Sequence, residues 1–228
     1  EVWNKAEKAG KVVGVGAPVV GAVEGWYVPR YVIEGDAKRK LEAKAPDLKN
    51  IADLAKYASV FKDQEEPSKG RFYNCPAGWT CELDNSEMLK SYGLESTYTN
   101  FRPGTGPALD AAVLSSYKRG EPILFYYWSP TPLMGQVDLV KLDEKPGVDK
   151  HVDIKVGVSK TFSEQAPELI AVLEKVNLPI DLLNQNLGRM AKERIESPKL
   201  AKIFLKEHPE VWHAWVSDDA AKKIDAAL

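Results

Sequence analysis

The order of strand-like and helix-like segments constrains the fold of this chain more than any other feature. Residues 25–32 and 122–128 are apolar runs of strand length, whereas residues 107–119 repeat apolar side chains at helical spacing. Ser86 is a candidate N-cap for a helix ended by Gly93, and the chain is helical almost throughout from residue 163. Strands that alternate with helices in this way predict an α/β protein.

Size and charge exclude several classes of protein. A chain of 228 residues with 44% hydrophobic residues can bury one large core or the cores of two lobes. The 31 Lys and Arg residues and the 33 Asp and Glu residues nearly cancel, so nucleic acid is not expected as a partner. The sequence has no apolar run near the roughly 20 residues that span a bilayer and no signal-peptide pattern at its start. We therefore expect a soluble chain that is a processed or truncated product.

The two cysteines of the chain, Cys75 and Cys81, are separated by residues that favour a tight turn. This spacing favours a disulfide, with two unrelated buried thiols as the alternative. A zinc site would need two further ligands nearby, and the spacing differs from the C-x-x-C of thiol redox proteins. Closing a loop of about 7 residues stabilises by only about 2 kcal/mol, so the expected role is local rigidity. A persistent disulfide would place the protein outside the reducing cytosol.

Motifs of catalysis and of metal or cofactor binding are missing from the sequence. The glycine-rich segment 14–21 is neither a G-x-G-x-x-G turn nor a Walker loop, and no serine lies in a G-x-S-x-G elbow. His208 and His213 are five residues apart and would not share a helix face. We therefore expect no enzyme, no cofactor and no metal site.

The positions of the six tryptophans are more informative. Trp79 lies inside the cysteine loop and Trp128 ends a strand, and loops and strand ends commonly carry function. Trp212 and Trp215 lie three apart in a helical pattern and are predicted to pack in a core. Aromatic rings around a cavity recognise quaternary ammonium groups, and a rigid cage avoids the entropic cost of ordering its rings on binding. This requirement supplies a reason for the disulfide.

At these residues the chain resembles the substrate-binding proteins of ABC importers for glycine betaine, proline betaine and related quaternary amines. Cys75-Pro-Ala-Gly-Trp-Thr-Cys81 is similar to the family's C-N-P-G-W-G-C loop. Residues 117–130 are similar to its Y-K-x-G-K-P-x-x-Y-x-W-T-P segment. Residues 25–29, 176–186 and 204–215 extend the resemblance over nearly the whole chain.

The resemblance implies a bilobal periplasmic-binding-protein fold of type II, with two lobes joined by a hinge. Lobe one would comprise residues 1–30 and 153–228, and lobe two residues 31–152. Family members usually carry a further stretch before the first residue, so we expect the N-terminal part of lobe one to be missing here. The implied protein is periplasmic or otherwise extracytoplasmic, binds a small quaternary amine as a monomer, and delivers it to the membrane permease subunits of an ABC importer.

The same resemblance assigns roles in an aromatic cage. Trp79 and Trp128 would form two walls, the backbone N–H groups of Thr80 and Cys81 would hold a ligand carboxylate, and Trp3 would supply a third ring. The residues predicted to contact the ligand are Trp79, Trp128, Thr80, Cys81, Trp3, Trp26, Tyr127 and Glu7.

One departure from the family pattern opens the identity of the ligand. Some members have a histidine four residues after the tryptophan that corresponds to Trp3, and this chain has Glu7 there. A carboxylate would repel a betaine and favour a ligand without an acid group, such as trimethylamine N-oxide or choline. Two alternatives remain: an amino-acid-binding protein that uses Arg102 and Asp110, and an enzyme on the same scaffold.

Overall fold

The structure, a computed structural model, describes residues 2–145 and 151–228 and has both strands and helices. The strands are β1 (Val12–Gly14), β2 (Val19–Pro29), β3 (Gly70–Tyr73), β4 (Tyr98–Phe101), β5 (Leu124–Trp128), β6 (Leu139–Lys141), β7 (His151–Ile154) and β8 (Gly157–Ser159). The α-helices are α1 (Val2–Lys8), α2 (Arg30–Glu34), α3 (Thr80–Ser91), α4 (Gly106–Arg119), α5 (Lys160–Gln165), α6 (Pro167–Leu173), α7 (Ile180–Glu193), α8 (Ser197–Glu207), α9 (Pro209–Trp212) and α10 (Asp218–Ala227). Short 3-10 helices cover Ile51–Tyr57 and His213–Trp215. The predicted α/β class is confirmed.

The chain divides into two compact units. Unit 1 comprises Glu1–Val23, Pro130–Gly135 and His151–Leu228, and unit 2 comprises Glu24–Ser129 and Gln136–Lys150. The predicted lobes, which divide the chain at residues 30 and 152, and the hinge between them stay predictions.

Unit 2 is built on a sheet with the strand order β4-β3-β5-β2-β6. The strand β3 pairs in parallel with β4 and with β5, whereas β2 pairs antiparallel with β5 and β6. The helix α3 connects β3 to β4, and α4 connects β4 to β5. Buried apolar side chains form one core cluster in this unit, which includes Trp26, Phe72 and Leu124, each 0% exposed.

The two long helices of unit 2 begin and end for identifiable local reasons. The Thr105 hydroxyl accepts a hydrogen bond from the Ala108 N–H at 3.2 Å, which caps α4. Gly120, in the left-handed conformation with φ 70°, ends it as expected. The helix α3 begins at Thr80, so the prediction that Ser86 caps it is wrong. Ser86 lies inside α3, where its hydroxyl donates to the Glu82 carbonyl oxygen at 2.7 Å.

Unit 1 contains short antiparallel pairs and most of the helices. The strand β1 pairs with β8, and the first part of β2 pairs with β7. Gly188 of α7 and Gly135 approach so closely that a Cβ on either would collide with the other's backbone. Trp212 is 1% exposed and donates its indole N–H to the Leu205 carbonyl oxygen at 2.8 Å, which confirms its predicted place in a core. Among the described residues, no helix has the length and apolar character needed to cross a membrane.

Candidate functional site

The candidate site lies where the parallel strands of unit 2 end. The cysteine loop follows β3, and Trp128 is the last residue of β5, the strand beside β3. The chain leaves β3 through α3 toward β4 on one side, and it enters β5 on the other side through α4. In open α/β sheets, this change of direction opens a crevice at the carboxyl ends of the strands, where ligands commonly bind.

The cysteine loop is closed by a disulfide between Cys75 and Cys81, with their Cα atoms 5.9 Å apart, so the predicted pairing is confirmed. Gly78 turns the loop with φ +86°, a left-handed conformation that glycine adopts without strain. Trp79 then has extended backbone angles and is the N-cap of α3. The loop therefore joins the end of β3 covalently to the first turn of α3.

The two predicted cage tryptophans lie side by side. The ring centroids of Trp79 and Trp128 are 5.6 Å apart, with an interplanar angle of 60°. The side chain of Trp79 is 42% exposed, which leaves much of its ring open to a ligand. Tyr127 stacks on Trp128 at 4.6 Å, and its hydroxyl donates to the Asp110 carboxylate at 2.6 Å. Tyr127 is only 2% exposed, so it supports Trp128 in this structure.

Two backbone donors directly follow Trp79 in the chain. Thr80 and Cys81 are the first two residues of α3, and the first N–H groups of a helix have no partner within it. These two N–H groups also find no acceptor elsewhere in the described parts of the chain. The positive end of the helix dipole favours an anion at this position. The arrangement can thus hold a cation against the rings and an acid group at the helix end.

A buried amide network fixes the start of the cysteine loop. The Asn74 side-chain oxygen accepts from the Cys75 N–H at 2.6 Å and from the Asn85 amide at 2.8 Å. The Asn74 amide donates to the Glu82 carbonyl oxygen at 3.1 Å and to the Asn100 side chain at 2.9 Å. Asn74 is 0% exposed, and its hydrogen bonds connect β3, the loop, α3 and β4. The sequence gives no local sign of this network, because its members are up to 26 residues apart.

Ionisable groups near the rings are engaged with neighbours. Glu82 accepts a hydrogen bond from Arg102 at 2.5 Å, and Asp110 accepts from Tyr127. Arg102 and Asp110, the pair that would bind an ordinary amino acid, thus contact different partners. Tyr126 donates to Glu24 at 2.5 Å, and burial together with this hydrogen bond holds the pKa of the Tyr126 hydroxyl above its usual range.

Trp26 does not line the site, and this prediction is wrong. Its side chain is 0% exposed, it stacks on Phe72 at 4.0 Å, and its indole N–H donates to the Asn85 side-chain oxygen at 2.8 Å. The physical reason is its position in β2, opposite Tyr126 in the middle of the sheet, where it fills the core of unit 2. Trp26 instead supports the amide network through its hydrogen bond to Asn85.

Trp3 and Glu7 belong to unit 1. They lie one turn apart on α1, and a Cβ added at Gly14 would be 3.8 Å from Trp3 Cζ2 and 4.0 Å from Glu7 Oε1. Trp3 also contacts Gly157 and is 40% exposed. Both side chains therefore share one face of α1, beside β1 and β8.

Comparison with known proteins gives consistent matches over most of the chain. Residues 1–207 match the OpuAC family, described as the substrate binding domain of ABC-type glycine betaine transport system. The glycine betaine/proline betaine-binding periplasmic protein of Escherichia coli (strain K12) is 26% identical over 249 residues, which cover 96% of this chain and 72% of that protein.

Two solved structures share the fold. Lactococcal OpuAC, in its closed-liganded conformation with glycine betaine, matches with a TM-score of 0.64 and 21% identity over 94% of this chain and 74% of that chain. An ABC-transporter choline binding protein in complex with choline matches with a TM-score of 0.62 and 17% identity over 98% of this chain and 75% of that chain. These matches confirm the predicted type II periplasmic-binding-protein fold.

Proposed function

The chain belongs to the OpuAC family of substrate binding domains of ABC-type glycine betaine transport systems, and on this premise we propose that it captures a quaternary amine or betaine-type osmolyte against the rings of Trp79 and Trp128. Its family serves transport and is not a family of enzymes. The resemblance found in the sequence is thereby confirmed, whereas the ligand-binding residues are proposed here.

One observation carries the proposal: an exposed tryptophan meets a second tryptophan beside two helix N–H donors. The Trp79 and Trp128 rings are 5.6 Å apart, and Trp79 directly precedes the Thr80 and Cys81 donors. A cation over an aromatic face gains about 0.5–1 kcal/mol when exposed and about 2 kcal/mol when desolvated. The N–H groups would hold a carboxylate through charge-assisted hydrogen bonds. A betaine carries both charges, so it matches both halves of the site.

The disulfide and the amide network support the proposal because they order the site before a ligand arrives. Cys75 and Cys81 hold the loop covalently, and Asn74 satisfies the backbone N–H of Cys75. A preorganised site loses less conformational entropy on binding, so more of the interaction energy contributes to affinity.

The wider role follows from the family. We propose that the loaded protein, as a monomer, delivers its ligand to the permease subunits of an ABC importer. We also propose a periplasmic or otherwise extracytoplasmic location, because the relative from Escherichia coli is named a periplasmic protein and the chain has a disulfide.

A second candidate ligand class is favoured by Glu7. Trp3 and Glu7 share one face of α1, so an aromatic ring and a carboxylate are presented together. Both groups attract a cation, and the carboxylate repels an acid. A contribution of Trp3 and Glu7 to binding would favour choline or trimethylamine N-oxide over a betaine.

Isothermal titration calorimetry with glycine betaine, proline betaine, choline, carnitine and trimethylamine N-oxide tests the function. We expect saturable binding of at least one of these ligands. The matched control is 3,3-dimethylbutanoate, which has the shape and acid group of glycine betaine without its positive charge. An intact protein that binds none of the five, or that binds glycine betaine and 3,3-dimethylbutanoate equally well, would contradict the proposal.

A further inference from the structure

The ion pair between Glu82 and Arg102 lies directly beside the proposed acid-binding end of the site. Glu82 is the third residue of α3, immediately after the Thr80 and Cys81 donors. Arg102 follows the last residue of β4, the strand next to β3. The Arg102 Nε atom donates to Glu82 Oε1 at 2.5 Å, and the two side chains are 43% and 12% exposed.

Glu82 alone would oppose the binding of an acid group. Its carboxylate lies within about one Debye length, on the order of 10 Å at 0.1 M salt, of a carboxylate held at the first turn of α3. A negative side chain in the first turn also interacts with the positive end of the helix dipole. Glu82 therefore competes with a ligand anion for this favourable interaction. Because Glu82 is nearly buried, water screens its charge only weakly.

Arg102 cancels this negative charge. Its position is fixed by the contact with Glu82 and by a second, longer hydrogen bond from Nη2 to the Ser86 hydroxyl at 3.4 Å. The Glu82 backbone is itself held in place, since its carbonyl oxygen accepts from Asn74 and from Ser86. The pair is therefore a fixed, neutral unit whose charge balance depends on Arg102.

We propose that the Glu82–Arg102 pair determines which charge class of ligand the site accepts, with Arg102 as the residue that permits ligands with a carboxylate. This inference rests on the proposed function. With the pair intact, an acid group can bind at the N–H groups of Thr80 and Cys81. Without Arg102, the unpaired Glu82 carboxylate disfavours a zwitterion and favours a cation that has no acid group.

Opposite responses of two ligands distinguish this role from a merely structural one. The measured quantity is the Kd of choline divided by the Kd of glycine betaine, from calorimetric titrations at low salt. In Arg102→Gln we expect this ratio to fall about tenfold. The reason is the Coulomb interaction between the unpaired Glu82 carboxylate and the charged groups of a ligand within about 10 Å. Glu82→Gln should raise the ratio, because it leaves the positive charge of Arg102 unpaired. The double variant should return the ratio to within about twofold of the wild type, since neither position 82 nor position 102 is then charged.

Two further variants serve as controls. Arg102→Lys keeps the positive charge and should retain most of the preference for glycine betaine. Arg119→Gln breaks an exposed ion pair with Glu121 at the far end of α4 and should leave both affinities unchanged.

The failures of this inference and of the proposed function are distinguishable. If the wild type binds these ligands but Arg102→Gln weakens both equally, or leaves their ratio unchanged, the charge-selection role is overturned and the function stands. If Arg102→Gln fails to fold, Glu82→Gln alone decides, because its expected shift is in the opposite direction. A wild type that binds no ligand of the panel overturns both.

Discussion

At the scale of single residues, the exposed face of Trp79 should contribute to affinity far more than to stability. We expect Trp79→Leu, which removes the aromatic face, to weaken binding about tenfold or more, whereas Trp79→Phe should retain part of it. Both variants should change the free energy of unfolding little, because the ring is 42% exposed. Calorimetric titration and denaturant unfolding measure the two effects.

A matched control for the loss of any tryptophan is Trp215→Phe. Trp215 belongs to unit 1 and stacks on Phe204 at 6.3 Å. The Trp215→Phe variant should leave ligand affinity unchanged. Equal losses of affinity in Trp79→Leu and Trp215→Phe would mean that the effect of the first variant is not local.

The sequence distinguished some tryptophans better than others. Trp79 and Trp128 could be singled out because each occupies a loop or strand end, where a core residue is unusual. Trp26 could not, since a strand presents alternate faces and one strand alone does not tell which face the sheet buries. Only the pairing of Trp26 with Tyr126 in the middle of the sheet decides that its ring fills the core.

At the scale of elements, the amide network joins two strands, one loop and one helix through Asn74. We expect Asn74→Ala to destabilise the protein by about 2–3 kcal/mol, because it leaves the Cys75 N–H and the Asn85 amide without their acceptor. Ligand affinity should fall as well, since the first turn of α3 would be less ordered. Denaturant unfolding and calorimetric titration give the two values.

Asn186→Ala provides the comparison. Asn186 is also buried, but within the described residues its amide donates to a single acceptor, the Leu182 carbonyl oxygen one turn away, at 2.9 Å. Its replacement should cost less stability and leave affinity unchanged. The positioning role of Asn74 would be refuted by a variant that unfolds at lower denaturant but binds as tightly as the wild type.

The start of α3 shows why helix boundaries were harder to predict than helix existence. Ser86 has a side chain that favours the N-cap position. The four residues before it, which include Glu82 and Asp84, did not indicate that the helix starts earlier. The observed N-cap, Trp79, lies seven residues before Ser86, because the disulfide-closed loop turns the chain at Gly78 and directs it into Thr80. A covalent constraint of this kind overrides local capping preference. By contrast, Thr105 and Gly120 act locally, and the predicted helix 107–119 differs from α4 by one residue.

At the scale of the whole molecule, a ligand that binds only the folded chain must raise the temperature of unfolding. At a concentration of 100 times Kd the stabilisation is about 2.7 kcal/mol. For a chain of this size, this corresponds to an increase in Tm of about 5–10 °C. Differential scanning calorimetry with the best ligand of the panel measures the shift.

The analogue 3,3-dimethylbutanoate, which lacks the ammonium group, again supplies the control, at the same concentration and ionic strength. It should leave Tm nearly unchanged, because it lacks the charge that the rings recognise. A ligand that binds by calorimetry and yet does not raise Tm would have to bind the unfolded chain equally well, and this would contradict a site that exists only in the folded protein.

The close approach of two indole rings also has an optical consequence. Chromophores whose centroids are 5.6 Å apart share their electronic excitation, so Trp79 and Trp128 should give a coupled circular dichroism signal that neither ring has alone. A cation that settles against these rings would alter their mutual angle or their surroundings, and the signal would change with it. The protein thus has a built-in spectroscopic reporter, and the occupancy of its site can be followed without an added dye.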